Sequence, residues 1–239
     1  MLHQMPPPAP RHVESATSQL DDLVYRLSHD LRASVRALQE LPTWISEDLA
    51  DDGIELPDSP RRSLGLIASH ARRLDQMLNG LLDYARVGRL QTVSQLDPAA
   101  ALAEVVEDLG PPRGVTIEAD VDAQCVNMGE TDLMRIYMVL LTNAIRHVET
   151  RPTTIRVEGG PVDGAWQLTV TDDGPGIPAH QREAVFEPMI KLVSRDKDEG
   201  AGMGLAVLRK IAECNRGRAW IEAGPQGVGT RVTVRIAVL

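Results

Sequence analysis

The chain has 239 residues, 43 % hydrophobic and 25 % charged, with a formal net charge of −9. That length predicts one or two domains, and the composition excludes wholesale disorder. The acidic balance and the 3 % aromatic content argue against a nucleic-acid binder, which needs basic patches or stacking platforms. No run approaches the roughly 18 apolar residues of a membrane span. The proline-rich start, residues 1–11, lacks the apolar stretch of a signal peptide. Two distant cysteines, Cys125 and Cys214, offer neither a disulfide framework nor a zinc site, which fits a reducing, cytoplasmic setting.

In chain order, residues 1–12 read as a disordered tail. Residues 13–90 read as a helical hairpin. Val24, Leu31, Leu38 and Ile45 recur every seven residues, and Leu20, Leu27, Ser34 and Leu41 form the second series of that heptad. A second stripe runs Leu64, Ile67, Ala71, Leu74, Leu78, Leu81 and Ala85. The loop over 51–60 separates the two, with Ser59 expected to cap the second helix and Pro60 at its first position. One hairpin cannot cover both stripes, whereas a four-helix bundle from two chains can, so a homodimer is expected. A monomeric hairpin packed on the C-terminal domain is the alternative.

The pattern changes near residues 88–97, and residues 91–239 read as an α/β sandwich with a mostly antiparallel or mixed sheet. Helices are predicted over 99–109, 131–148 and 203–213. Strands are predicted over 115–119, 124–128, 154–158, 166–171, 219–222 and 231–237. The strands come in adjacent pairs, which excludes a Rossmann repeat.

Four features carry chemistry. With Val24 at a and Leu27 at d, His29 falls at f, the outermost heptad position. A neutral imidazole is a nucleophile. Asp30 beside it can orient one ring nitrogen or take its proton; an ordinary surface histidine is the bland alternative. Asp172, Gly174 and Gly176 follow a strand, where a carboxylate can accept a hydrogen bond from an exocyclic amine such as adenine's and glycines let backbone approach a flat base; an ordinary turn reads the same way. Gly200, Gly202 and Gly204 open a predicted helix, whose amides can cradle phosphate. Asn143 offers a hard oxygen suited to Mg²⁺, and Arg146 and His147, three and four residues on, share its face.

In this order the features resemble a two-component sensor histidine kinase over residues 15–238. Ser28-His-Asp-Leu-Arg is similar to the H-box and Leu140-Leu-Thr-Asn-Ala-Ile-Arg-His to the N-box. Asp172-x-Gly-x-Gly is similar to the G1 box, Phe186-Glu-Pro to the F-box and Gly200-x-Gly-x-Gly to the G2 box. The turn ending at Thr230 resembles the family's last glycine turn. The short stretch between Phe186 and Gly200 is similar to the brief lid of phytochrome-type kinases.

The resemblance implies a dimerisation and phosphotransfer hairpin followed by a Bergerat-fold ATP-binding domain. His29 would take the γ-phosphoryl group of Mg·ATP and pass it to an aspartate of a response regulator. Asp172 would hold adenine, Asn143 would hold Mg²⁺ and Lys191 would neutralise phosphate. Signal input is expected from a separate sensor protein, with no nucleic acid and no membrane involved. Three positions depart from the pattern: Val139 stands where a second Asn is frequent, Ser34 replaces the H-box proline, and Ala33 stands where Thr or Asn is common. A phosphotransfer protein with a vestigial ATP-binding domain is the alternative function; a serine kinase of the anti-sigma type is a third, disfavoured by the hairpin bearing His29.

Overall fold

The computed structural model describes residues 11–89, 91–146, 153–192 and 200–237, with side chains from Val24 onward in the first helix. The chain divides into two compact units between Arg86 and Val87.

The first unit is an antiparallel hairpin of α1 (Arg11–Asp51) and α2 (Asp58–Arg86). Its pairing is fixed by polar contacts at matching heights. Arg32 Nη2 donates to Asn79 Oδ1 at 3.4 Å, Gln39 Nε2 donates to the Ala71 carbonyl at 3.4 Å, and the Arg86 guanidinium lies over the Tyr25 ring at 5.2 Å. The seam inside the hairpin uses the e positions of the predicted heptad, with Ser28, Val35 and Pro42 buried on α1 and Ala71, Leu78, Leu82 and Ala85 buried on α2. The a and d residues Leu27, Leu31, Leu38, Leu41 and Ile45 stay 43–52 % exposed, and Ile67 and Leu74 on α2 are similarly open. A lone hairpin thus covers one flank of its apolar sector and leaves the other to solvent.

The start of α2 differs from the expectation. The Arg61 amide donates to the Pro57 carbonyl at 3.1 Å, which makes Pro57 the capping residue and Asp58 the first helical position. Ser59 therefore lies within the first turn, and Pro60 occupies its third position. There its missing N–H is one the helix would leave unpaired anyway.

The second unit is the sandwich. Its five-stranded sheet has the order β2-β4-β5-β7-β6, from β2 (Val115–Val121), β4 (Thr153–Val162), β5 (Ala165–Thr171), β6 (Arg218–Ala223) and β7 (Thr230–Ala237). Only β2 and β4 run parallel, as the helical crossover between them demands; the other pairs are antiparallel. The helices are α3 (Pro98–Leu109), α4 (Glu130–Arg146) and α5 (Gly204–Cys214). Alternating residues Ile155, Val157, Leu168, Val170, Val234 and Ile236 face the core with Leu133, Ile136, Leu141, Leu208 and Ile211. Aliphatic side chains therefore fill most of the interior, consistent with the scarcity of aromatics. Outward-facing residues are polar, such as Glu118 and Arg156, paired at 3.1 Å across the parallel strands.

One element was not anticipated. Residues 88–97, read as the boundary, contain β1 (Val93–Leu96), which pairs antiparallel with β3 (Val126–Gly129). Asp97 then caps α3, its Oδ1 accepting the amides of Ala99 at 2.9 Å and Ala100 at 3.1 Å. Among the described residues no helix is long and apolar enough to cross a membrane.

Asp132, in the first turn of α4, is buried, and its Oδ2 accepts the Gly88 amide at 3.2 Å, while Oδ1 has no hydrogen-bond partner among the described residues. Desolvation by burial raises its pKa above the ordinary carboxylate value, against the smaller opposing effects of the Gly88 amide, the Gln91 side chain and Arg135. A raised folded pKa means that the stabilising contribution of the protonated carboxyl is complete below the unfolded pKa and is lost as pH rises through the folded one. Asp132→Asn, which stays neutral and still offers an oxygen to Gly88, is expected to raise stability at pH 7 and to flatten its decline between acid and neutral pH. Urea denaturation at a series of pH values checks this; equal stability of the two proteins at pH 7 would refute it.

Candidate functional site

At one end of the sandwich, β5 delivers Asp172 beside the start of β7. The Asp172 amide donates to the Thr230 carbonyl at 2.9 Å. In return, Asp172 Oδ1 accepts the Thr230 amide at 3.1 Å and the Gly174 amide at 2.9 Å. One carboxylate oxygen thereby ties together two segments 58 residues apart. Two glycines make the approach possible. Gly229 has φ +77°, and a Cβ there would overlap the Asp172 carbonyl; Gly176 has φ +77°, and a Cβ there would stand 3.0 Å from the Gly229 carbonyl oxygen.

Beneath this knot lies a cavity of about 280 Å³. Val139, Leu140, Asn143 and Arg146 of α4 form one wall, and Val170, Asp172, Thr230 and Val232 form the strand end. The opposite wall is the segment carrying Val185, Ile190, Lys191 and Leu192. The start of α5 closes the cavity with Gly202, Met203, Gly204 and Leu205. Met203, at the cap position, makes no side-chain capping bond to the first amides of α5. The Met189 amide donates to the Gly202 carbonyl at 2.9 Å, and Gly202, at φ +71°, lies so close to the Ile190 carbonyl that a Cβ would come within 2.8 Å of it.

Of the residues singled out in the sequence, Asn143, Arg146, Asp172, Gly176, Lys191, Gly202, Gly204 and Thr230 all line this cavity. Gly174 sits behind it as a donor to Asp172, and Gly200 is buried against the Arg146 guanidinium. His147 lies outside the described residues. His29 and Asp30 belong to the other unit. Their side chains are 68 % and 79 % exposed, with Nδ1 of His29 3.3 Å from Oδ1 of Asp30. The apolar lining, Val170, Val185, Ile190, Leu192 and Val232, is indistinguishable in a sequence from ordinary core.

The arrangement has two chemical ends. An apolar cup with a carboxylate at its rim suits a flat ring bearing an amine. The start of α5, Lys191 and Arg146 suit an anionic tail. Among the described residues no group of three or more His, Cys, Asp or Glu side chains is placed to hold a metal ion.

The sandwich around this cavity is similar to a known class of ATPase domain. Its family model, the histidine kinase-, DNA gyrase B-, and HSP90-like ATPase, matches residues 128–238. The chain is 31 % identical over 228 residues to the methanogenesis regulatory histidine kinase FilI of Methanothrix harundinacea, an alignment covering 92 % of this chain and 25 % of that protein. The structure of full-length ShkA in complex with AMPPNP shares the fold over 92 % of this chain and 46 % of that one, with a TM-score of 0.66 at 21 % identity. The histidine kinase ThkA, solved in complex with the response regulator protein TrrA, does so over 95 % and 65 %, with a TM-score of 0.63 at 16 % identity. The chain is thus similar to sensor histidine kinases over most of its length, and residues 128–238 match their ATPase family model. It spans 25–29 % of the length of the first curated relatives it matches.

The knot predicts a contrast between two glycines of one turn. Gly229→Ala is expected to lose about 2 kcal/mol or more, since left-handed strain of ~1–2 kcal/mol adds to the overlap with Asp172. Gly227→Ala, at φ +80° with nothing within 4 Å, incurs the strain alone. Denaturant midpoints of the two variants separate the terms; equal losses would show that the Asp172 contact does not constrain Gly229.

Proposed function

We propose that the protein is an ATP-dependent protein-histidine kinase, in which His29 accepts the γ-phosphoryl group of ATP and passes it to an aspartate of a response regulator. The observation that carries this reading is the gathering of Asp172, Asn143, Lys191 and the Gly202–Gly204 turn around one cavity, in a chain that also presents an exposed histidine beside a carboxylate. The adenine amine would donate to Asp172 while the base fills the apolar cup. The phosphates would run toward the start of α5, with Lys191 and Arg146 offsetting their charge.

Mg²⁺ fits the donor set, because this ion usually takes one or two protein oxygens and completes its shell with phosphate and water. The Asn143 amide would hold it, and it would neutralise charge on the phosphates. Asp30 holds the Nδ1 proton of His29, leaving Nε2 with its lone pair. Nε2 attacks phosphorus, the bond from the γ-phosphorus to the bridging oxygen breaks, and ADP leaves with that electron pair. The Nδ1 proton can then pass to Asp30 or to water.

The half-exposed a and d residues of the hairpin support a homodimer in which two hairpins form a four-helix bundle. The response regulator as partner is supported by the hairpin fold shared with ThkA. The reading of the chain as a relay without ATP chemistry rests on Val139, which puts an apolar side chain on the cavity wall beside Gly204.

Incubated with Mg·ATP labelled at the γ position, the protein is expected to acquire label that survives alkali, is lost in acid and is absent in His29→Ala. Acid-stable label, or label persisting in His29→Ala, would overturn the proposal, and failure to bind ATP would favour the relay. Asp172→Asn keeps an acceptor for the Gly174 and Thr230 amides but loses the charge. It is expected to weaken ATP binding by about 10- to 100-fold, the equivalent of ~1.5–3 kcal/mol for a hydrogen bond to a charged acceptor. Calorimetric titration checks it; unchanged affinity would remove Asp172 from the adenine contact.

A further inference from the structure

Arg209 lies on α5, away from the Gly204 end that faces the cavity, and its side chain is only 20 % exposed. Its guanidinium carbon sits 4.2 Å from the ring centroid of Phe186, the chain's single phenylalanine, which is itself buried. Nη2 pairs with Glu183 at 2.7 Å and Nη1 approaches Glu187 at 3.8 Å. These two glutamates flank the short turn Ala184–Phe186, so one cation grips the turn at both ends and across its ring.

Surface ion pairs are ordinarily weak. This one differs because the guanidinium is mostly sheltered, stacked on an aromatic face and shared between two carboxylates. The turn it holds leads directly into the cavity wall. Val185 lines the cavity from within the turn, and the Ile190 amide donates to the Glu187 carbonyl at 3.3 Å, placing Lys191 next. The start of α5 adjoins this wall, joined to it by the bond from the Met189 amide to the Gly202 carbonyl at 2.9 Å. One helix therefore presents its first amides to the cavity and, through Arg209, holds the wall beside them.

We propose that Arg209 is a positioning residue for the nucleotide: through Phe186, Glu183 and Glu187 it holds the wall carrying Ile190 and Lys191 in place beside the start of α5, where the phosphates would bind. This rests on the reading of the cavity as an ATP site. Without the clamp, the wall must be ordered by the ligand, and that cost appears as lost affinity.

The test is titration of the full-length chain with a non-hydrolysable ATP analogue. Arg209→Met, which keeps the apolar stem, is expected to bind about tenfold more weakly than wild type. Arg209→Lys, which keeps the charge but not the planar fork, should recover part of that loss. In a Lys191→Ala background, Arg209→Met should cost less than about twofold more, because both changes act through the same wall. Glu183→Gln with Glu187→Gln, at exposed positions that leave the core untouched, should weaken binding in the same direction and serves if Arg209→Met does not fold. Unchanged affinity in Arg209→Met or in the double glutamine variant, or fully additive losses with Lys191→Ala, would overturn the proposal. Wild type that binds no analogue would instead overturn the ATP reading of the cavity.

Discussion

The ligand-facing end of the sandwich hangs from one carboxylate oxygen. Asp172 Oδ1 accepts two backbone amides, one two residues ahead and one from a strand far along the chain, and the Asp172 amide is committed to the same distant residue, Thr230. Three consequences follow from that closeness. Gly229 must be glycine, because any side chain would enter the Asp172 carbonyl. The turn after β5 must fold back over the sheet, which carries Gly176 and Ile177 to the cavity rim. And β5 and β7 must stay in register up to their last pair, Thr171 with Arg231. A hydrogen bond to a charged acceptor contributes more than a neutral one, and leaving either amide unpaired would add a desolvation cost. The residue proposed to hold adenine is therefore also the residue that builds the pocket's rim.

The hairpin obeys a different constraint. Its two helices bury the e positions against each other, and two of these, Ser28 and Pro42, are poor hydrophobes. The strong hydrophobes at a and d stay half-exposed. Fully burying one such side chain is worth about 1.5–3 kcal/mol, so most of the hairpin's available hydrophobic stabilisation lies on the face it does not cover itself. That imbalance supports the proposed bundle of two copies. It also leaves f, where His29 sits, pointing away from the apolar face.

What the sequence made legible followed from the kind of signal each feature leaves. Long amphipathic helices announce themselves by periodicity, as α1, α2 and α4 do. Asp172, Asn143 and the glycine turns stood out because their residue types are costly unless used. The short strand β1 left no trace: three of its four residues are exposed, so Val93–Leu96 carries no alternation to detect. The heptad revealed which residues are apolar but not which flank packs inside the hairpin, because that choice depends on a surface the single chain does not contain. The cavity's apolar wall was invisible for a related reason. Val185 and Ile190 become pocket residues only through the fold, and Arg209, in a helix of otherwise ordinary pattern, gives no sign that it reaches Phe186.

The proposed chemistry explains why the two kinds of residue are housed so differently. Groups that bind nucleotide gain from rigidity, since every degree of freedom frozen by the fold is one the ligand need not freeze. They accordingly sit on strand ends, a helix start and a clamped turn, each fixed by backbone hydrogen bonds. A phosphoryl carrier has the opposite requirement. It must meet the nucleotide and then a second protein, and an imidazole buried in a pocket made for either would be closed to the other. Among the described residues, His29 is held by the adjacent Asp30, which approaches a ring nitrogen without covering the ring. The carboxylate moves with the histidine on the same helix, so the pair keeps its geometry whichever partner approaches. Specificity for those partners must then come from the surfaces around His29 rather than from a cavity enclosing it.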